Sequence, residues 1–452
     1  MAIRRVFIAN RGEIAVRIIR TCKQLGIETV LAVSAADRNS LPARLADRAV
    51  CVGPARSSDS YLLVNTLVHA ALASGCDAVH PGYGFLSERA PFARACEQAG
   101  LVFIGPTPEQ IEAVGDKLRA RSEAIAADVP VVPGATVDTL QDALEAATRI
   151  GTPLLVKAVG GGGGRGMKRV DALADVAAAI ELASAEAAAA FGDARVYLER
   201  YVSRGRHVEL QVLGDGHGRV IHLGERDCSV QRRYQKLIEE TPAVGLSASL
   251  LAQLREAGVR FAQRLHYRGA GTVEFLVDTE RDCFYFLEMN SRIQVEHPVT
   301  EAVTGVDLIA EQIAIAAGEG LRLQQADVHF KGHAIECRIN AEDPARDFAP
   351  SPGRVRRAAW PVAANIRVDT HIDDGAMVPP FYDSLMGKVI AYGADRAAAV
   401  ALLQHALAAT HIEGVATNIS FHQRVLADAE FQHGGIDTGY VARLVASGAT
   451  PA

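Results

Sequence analysis

Apolar positions in the first hundred residues switch between two periods. Val6, Phe7, Ile8 and Ala9 form an unbroken apolar run, the mark of a strand buried on both faces. From 13 to 25 the apolar positions recur every three or four residues, which predicts an amphipathic helix. Further strands are expected at 29–33, 77–80 and 101–104. Strand and helix in turn imply a parallel, doubly wound sheet in an α/β protein. Residues 115 to about 205 read as helix-rich around a strand pair, with one strand at 154–157 and a helix through the alanines at 183–190. Strands return at 207–213, 220–223, 271–277 and 283–289. A turn at Pro350, Pro352 and Gly353 falls in a last unit of mixed α/β character, with a helix near 396–409. Three units result, 1–114, 115–330 and 331–447, and no internal repeat is visible.

Composition narrows the class. A chain of 452 residues with 49% hydrophobic and 22% charged residues can bury a real core. A net charge of −6 offers no basic field for nucleic acid or an anionic membrane. Apolar runs fall short of the ~20 residues a membrane span needs, and the start, MAIRRVFIANRGE, reads as a first strand rather than a signal peptide. The cysteines at 22, 51, 76, 96, 228, 283 and 337 show no CxxC spacing. They are expected to be reduced, buried and zinc-free, in a cytoplasmic protein.

Four stretches carry candidate chemistry. Five consecutive glycines, 160–164, follow a strand ending in Lys157 and close with Arg165 and Gly166. Bare backbone N–H groups beside cations suit a flap over phosphates, although the Walker spacing is absent. In EMNSRIQVEHP, 288–298, alternation places Glu288, Asn290, Arg292, Gln294 and Glu296 on one edge of an extended chain. A hairpin with the preceding strand, closed by a five-residue loop at 279–283, sets Glu274 opposite Glu288. Two opposed carboxylates need a cation, and Glu274, Glu288 and Asn290 offer the hard oxygen ligands that magnesium takes. Phe284 and Phe286 are expected on that same face, lining a cleft. Arg292 suits a forked grip on an oxyanion, Glu296 a base, and His297 a structural role before Pro298. ERDCSVQRRYQK, 225–236, reads as an anion pocket rather than a solvated helix face, and HPGYGFLSE, 80–88, as a ligand loop or a plain turn. A dinucleotide reading of 10–13, with Asp37 on the ribose, lacks the glycine fingerprint.

Together these stretches resemble the biotin carboxylase family of the ATP-grasp superfamily. The motifs are IANRGEIAVRI (8–18), HPGYGFLSE, GDK (115–117), KAVGGGGGRGM (157–167), RHVELQV (206–212), ERDCSVQRR, EFYFLEMNSRIQVEHPVTE in broken form (274–301), ECRINAEDP (336–344) and PPFYDSLMGK (379–388). The resemblance implies an N-terminal Rossmann-like domain, a central ATP-grasp domain with a mobile lid at about 131–205, and a C-terminal domain. It implies ATP contacts from Lys117 and Lys157, and Gly163 and Gly164 in the flap. Glu199, Arg200 and Val202 would line the adenine, with His207, Gln231 and Tyr234 near the nucleotide. Glu274, Glu288 and Asn290 match ligands of Mg²⁺ (or Mn²⁺). Lys236, Arg292, Gln294 and Val295 match the bicarbonate site, Glu296 its base, and Arg338 the residue that steadies the biotin enolate. Tyr83 and Asp383 match positions near biotin. Tyr234 and Arg200 depart from the family, where histidine and lysine are common. No Met-Lys-Met carrier segment occurs before residue 452. Biotin is therefore expected on a separate biotin carboxyl carrier protein. A carboxyltransferase subunit, an acyl-CoA acceptor (acetyl- or propionyl-CoA) and a homodimer complete the expectation.

Overall fold

The computed structural model describes residues 2–160 and 167–447. Strands β1 (Arg5–Ile8), β2 (Glu28–Ser34), β3 (Arg48–Gly53), β4 (Ala78–His80) and β5 (Val102–Phe103) form one sheet in the order β3-β2-β1-β4-β5. Every pairing in it is parallel. Val6 and Ile8 enter one core with Ile14 and Ile18 of the helix Gly12–Gln24, while Phe7 and Ala9 enter the core on the other face. Alternation within an apolar run thus supplies both layers of a doubly wound sheet. Strand β3 was not expected: it is an edge strand, largely exposed, and lacks the apolar run that marked its neighbours. Asp37 is held by Arg11 at 2.9 and 3.0 Å and by Tyr61 Oη at 2.7 Å, so its carboxylate is committed inside the fold and the ribose role fails.

A smaller antiparallel sheet follows, made of β6 (Gly134–Thr136), β7 (Leu154–Ala158), β8 (Met167–Val170) and β9 (Val196–Arg200) in the order β6-β9-β7-β8. Ala143, Ala147 and Ala183 from the helices Leu140–Ile150 and Val176–Phe191 pack on it. Most of the glycine run, including Gly163 and Gly164, lies outside the described residues.

The largest sheet has eight strands. These are β10 (Gly205–Asp215), β11 (Val220–Arg232), β12 (Gln235–Thr241), β13 (Arg268–Asp278), β14 (Cys283–Asn290), β15 (His333–Asn340) and the strands Ile366–Thr370 and Leu385–Gly393. Their order is β14-β13-β10-β11-β12-β15, then Leu385–Gly393 and Ile366–Thr370. The antiparallel pair β12–β15 carries the sheet continuously across residue 330. The helix Arg396–Ala409 falls where the periodicity put it and covers the far half through Leu403 and Leu407. Segment 225–236 is no helix. It is the β11–β12 hairpin, turning at Arg233 and Tyr234 with φ of 49° and 66°, as a two-residue turn with both φ positive does.

In the β13–β14 hairpin, Glu274 does pair with Glu288, but not through the uniform register expected. At the tip Asp278 pairs with Cys283 and Phe275 with Phe286, one residue out of step, and the loop is 279–282. A β-bulge at Leu287 restores the pairing of Glu274 with Glu288. One extra residue exchanges the two faces of a strand. Phe284 and Phe286 therefore lie in the core against Phe275 and Phe261, not in a cleft, while Glu288 and Asn290 turn to the opposite face.

Candidate active site

Strand alternation aims His207 and Glu209 of β10, Lys236 of β12 and Glu274 of β13 at one side of the large sheet. Lys236 Nζ is the hub. It bonds Glu209 Oε2 at 2.5 Å, Glu274 Oε1 at 3.0 Å and Glu296 Oε1 at 2.8 Å. Burial opposes its charge, yet the surrounding acids, Cys228 included, lift its pKa well above the ordinary lysine value. Glu274 also accepts from Asn290 Nδ2 at 2.8 Å and Gln294 Nε2 at 3.1 Å, and lies 2.9 Å from His207 Nε2. Burial again works against ionisation, but Lys236 and His207 outweigh it and hold Glu274 below the usual carboxylate range. Glu288 behaves oppositely: burial and the charge of Glu274 raise its pKa, with Lys117 only partly offsetting them. An acidic pair with one member so penalised, beside an amide oxygen, fits a hard divalent cation.

The polar alternation does not continue as a strand beyond Asn290. Residues 291–296 form an irregular loop, and the helix His297–Thr304 begins directly after it. The loop nonetheless delivers its side chains to the cluster. Arg292 bonds Glu88 Oε2 at 2.9 Å, Gln294 Oε1 at 2.7 Å and Asn290 Oδ1 at 2.8 Å, so its guanidinium is already engaged by protein groups. Glu296 is fully buried between Lys236 and Arg338 NH2, each at 2.8 Å. Burial penalises its charge, but these two cations, with Arg226, pull its pKa well below the ordinary value. Arg338 of β15 is fixed from behind by Glu239 Oε1, which accepts from its Nε at 2.6 Å. His297 is buried, with Nδ1 2.8 Å from Gln294 O, which fits the structural role expected of it.

A second cluster gathers at the small sheet. Lys157 pairs with Glu199, which Arg121 also approaches at 3.4 Å. Lys117 starts the helix Lys117–Ala126, and its ammonium is depressed by burial and by Lys157, against the pull of Glu288 and Glu199. Arg200 donates its backbone N–H to Pro133 O, and Val202 is buried beside the segment. Gln231 is buried near the β11 backbone, whereas Tyr234 stands exposed at the hairpin turn.

A third part lies toward the N-terminal sheet. Tyr83 Oη donates to Glu13, and Lys388 Nζ sits 3.1 Å from Glu13 and bonds Val295 O at 2.7 Å. Tyr83 and Asp383 line a cavity of about 340 Å³ with Asn10, Arg11 and Tyr382. Asp383 is exposed and accepts from Leu385 N–H at 3.0 Å.

Several groups at the site escaped the sequence reading. Glu209 had a signal, sitting two residues after His207 in RHVELQV. Glu13, Glu88 and Lys388 lie inside quoted motifs but carried no stated role. Glu239 had none, because it lies in the strand QKLIEET beyond the end of the quoted 225–236 stretch. All seven cysteines are free, but Cys51 is exposed and Cys283 half-buried, so the expectation of burial fails for these two.

Among the described residues no helix is long and apolar enough to cross a membrane. The biotin carboxylase N-terminal domain family matches residues 2–111, the ATP binding domain family of the carbamoyl-phosphate synthase L chain 116–324, and the biotin carboxylase C-terminal domain family 336–443. The biotin carboxylase of Nostoc sp. is 50% identical over 442 residues, 97% of this chain and 99% of that protein. Biotin carboxylase 1 of Bacillus subtilis is 48% identical over 97% of this chain and 98% of its own. Among solved structures, the biotin carboxylase domain dimer of Hydrogenobacter thermophilus 2-oxoglutarate carboxylase, in complex with MgADP, ADP and bicarbonate, superimposes with a TM-score of 0.95 at 43% identity, covering 100% of both chains. The biotin carboxylase subunit of a pyruvate carboxylase gives 0.86 at 44% identity, again over 100% of both chains. The parallel N-terminal sheet and the large antiparallel sheet are thus those of the ATP-grasp carboxylases, and the chain belongs to the biotin carboxylase family, as an ATP-dependent ligase that carboxylates biotin.

Proposed function

We propose that the Lys236–Glu296–Arg338 relay is where bicarbonate, activated by ATP, is passed to biotin, as the first half-reaction of an acyl-CoA carboxylase. The observation that carries this is the position of Glu296: one carboxylate bonded at 2.8 Å on one side to Lys236 and on the other to Arg338. Lys236, with Gln294, Val295 and Arg292, belongs to the bicarbonate end, and Arg338, toward Tyr83 and Asp383, to the biotin end.

Glu296 with its pKa so depressed is a weak base. An arriving bicarbonate competes for Lys236, and a biotin ureido oxygen competes for Arg338. Each substrate withdraws one cation from Glu296 and so raises its basicity where a proton must be taken from bicarbonate. Arg338, still backed by Glu239, then faces the oxyanion that forms on biotin. Lys117 and Lys157 neutralise nucleotide phosphates, beside the segment of Glu199, Arg200 and Val202. Glu274, Glu288 and Asn290 would hold Mg²⁺, which would supply charge neutralisation for phosphoryl transfer.

The acyl-CoA acceptor rests on the resemblance of the sequence motifs; a keto acid is the competing acceptor, because the matched structures include 2-oxoglutarate and pyruvate carboxylases at 41–44% identity. We assign biotin delivery to a biotin carboxyl carrier protein with a carboxyltransferase, in a cytoplasmic homodimer. The units 1–114, 115–330 (lid about 131–205) and 331–447 serve as its three domains.

Bicarbonate-dependent ADP release, stimulated by free biotin, tests the reaction. Release indifferent to both substrates, or unchanged in Glu296→Gln and Arg338→Ala, would defeat the relay. Capture of the biotinylated partner tests the acceptor, and sedimentation tests the dimer.

A further inference from the structure

Behind Arg338 lies a pair of acids, of which the reaction as described uses only Glu239, as backing for the guanidinium. Glu336, on the same face of β15 as Arg338, is fully buried. No donor among the described residues reaches either of its carboxyl oxygens. Directly across from it on β12 stands Glu239, also fully buried. Glu239 Oε1 takes the Arg338 bond, and its Oε2 has no donor. Side chains opposed in this way start about 5 Å apart. Two ionised carboxylates that close, in a dry interior, are not tolerated together without a cation of their own.

The neighbouring charges are already committed. Lys388, on the adjacent strand opposite Arg338, serves Val295 O and Glu13. Lys236 and Arg338 are shared with Glu296. From the helix above this face, His297 Nδ1 is taken by Gln294 O, and Glu301 by Arg17 and Arg367. Cys337, on the other face, stays a neutral thiol because burial raises its pKa. Burial raises Glu336 well above the usual carboxylate value against the pull of Lys388, with the charge of Glu239 adding to the rise, and burial lifts Glu239 to about 7 against the pull of Arg338.

We propose that Glu336 and Glu239 share one buried proton, with Glu336 donating to Glu239 Oε2, and that this pair positions Arg338 for its work at biotin. The proton follows from the burial and the missing donors alone, and the consequence for turnover rests on the role proposed above for Arg338. A carboxylate that both accepts from Arg338 and is held by a neutral acid has a fixed orientation, and the guanidinium inherits it. Glu336 is thus a positioning residue, touching neither substrate.

Infrared difference spectra at neutral pH read the proton directly. The wild-type protein shows a protonated-carboxyl C=O band that disappears in Glu336→Gln and moves in Glu239→Gln. A band unaffected by Glu336→Gln, or unmoved in Glu239→Gln, overturns the shared proton. Steady-state kinetics read the positioning. Glu336→Leu loses biotin-dependent turnover by at least about tenfold, while bicarbonate-dependent ADP release without biotin persists. Glu336→Gln, which keeps an N–H donor toward Glu239, restores most of the loss. Equal damage to both activities in Leu and Gln variants refutes positioning. If instead Arg338→Ala leaves biotin turnover intact while the band behaves as stated, the reading of Arg338 fails and the shared proton stands.

Discussion

Glu274 and Glu288 face each other across β13 and β14 only because Leu287 is bulged out between them. Were Leu287 paired in line with Glu274, Glu288 would oppose Val273 and enter the core beneath Phe261. The acidic pair is therefore a feature of backbone register, built at the cost of mutual repulsion.

Relieving that repulsion separates stability from function. Glu288→Gln removes the penalised charge and leaves the substrate-free protein as stable as wild type, or more so. Its MgADP affinity falls by at least about tenfold, roughly 1.4 kcal/mol. Thermal melts with and without MgADP check this: the ligand-induced rise in Tm shrinks while the ligand-free Tm holds.

Lys236 is the opposite case. Lys236→Ala leaves Glu209, Glu274 and Glu296 converging on an empty centre. Removing one partner of a buried ionic cluster costs about 3–5 kcal/mol, so the urea midpoint drops sharply and turnover is lost. An equal midpoint for variant and wild type contradicts the geometry of the hub.

Two buried histidines contribute to the acid limit. His80 and His371 are buried, and burial, with nearby arginines, lowers each to about 3. In the unfolded chain histidine binds a proton below about 6.5, so the unfolded state holds more protons between these values. Stability accordingly falls as pH drops from about 6.5 toward 3, by up to ~1.4 kcal/mol per pH unit for each histidine. The variant His80→Asn/His371→Asn, measured by urea unfolding across that range, shows a shallower decline; an unchanged slope speaks against neutral burial.

Lys388 ties Glu13 of the first helix to the loop at Val295. Lys388→Met strands Glu13, whose carboxyl burial already pushes upward. The expected loss of stability is about 3 kcal/mol at neutral pH. It diminishes on acidification as Glu13 takes up a proton, and ADP release falls with the loosened loop. A deficit that does not vary with pH identifies packing rather than charge as the cause.

Much of this site is legible in the chain because polar residues in strands stand out against an apolar period of two. Glu274, Glu288 and Asn290 were found that way, yet the uniform register used to pair them was wrong at the tip. The right pairing depends on a bulge that leaves no mark in the polar pattern. The extended reading of 288–296 failed from residue 291 onward, because what brings Gln294 and Glu296 inward is a loop closing onto a helix, not strand alternation.

The sequence by itself determined which elements form and which residues are chemically equipped: periodicity is local, and so are the glycines after Lys157 and the acids around Met289. Only the tertiary structure decided which of them share a charge. Lys236 meets Glu296 across 60 positions and Arg338 meets Glu239 across 99, through an eight-stranded sheet whose strand order no local pattern encodes. Strand order is settled by which faces bury the most apolar area together, a sum over the whole chain. The ionisation of every acid at the site is therefore a property of the assembled sheet and not of its own neighbours in sequence.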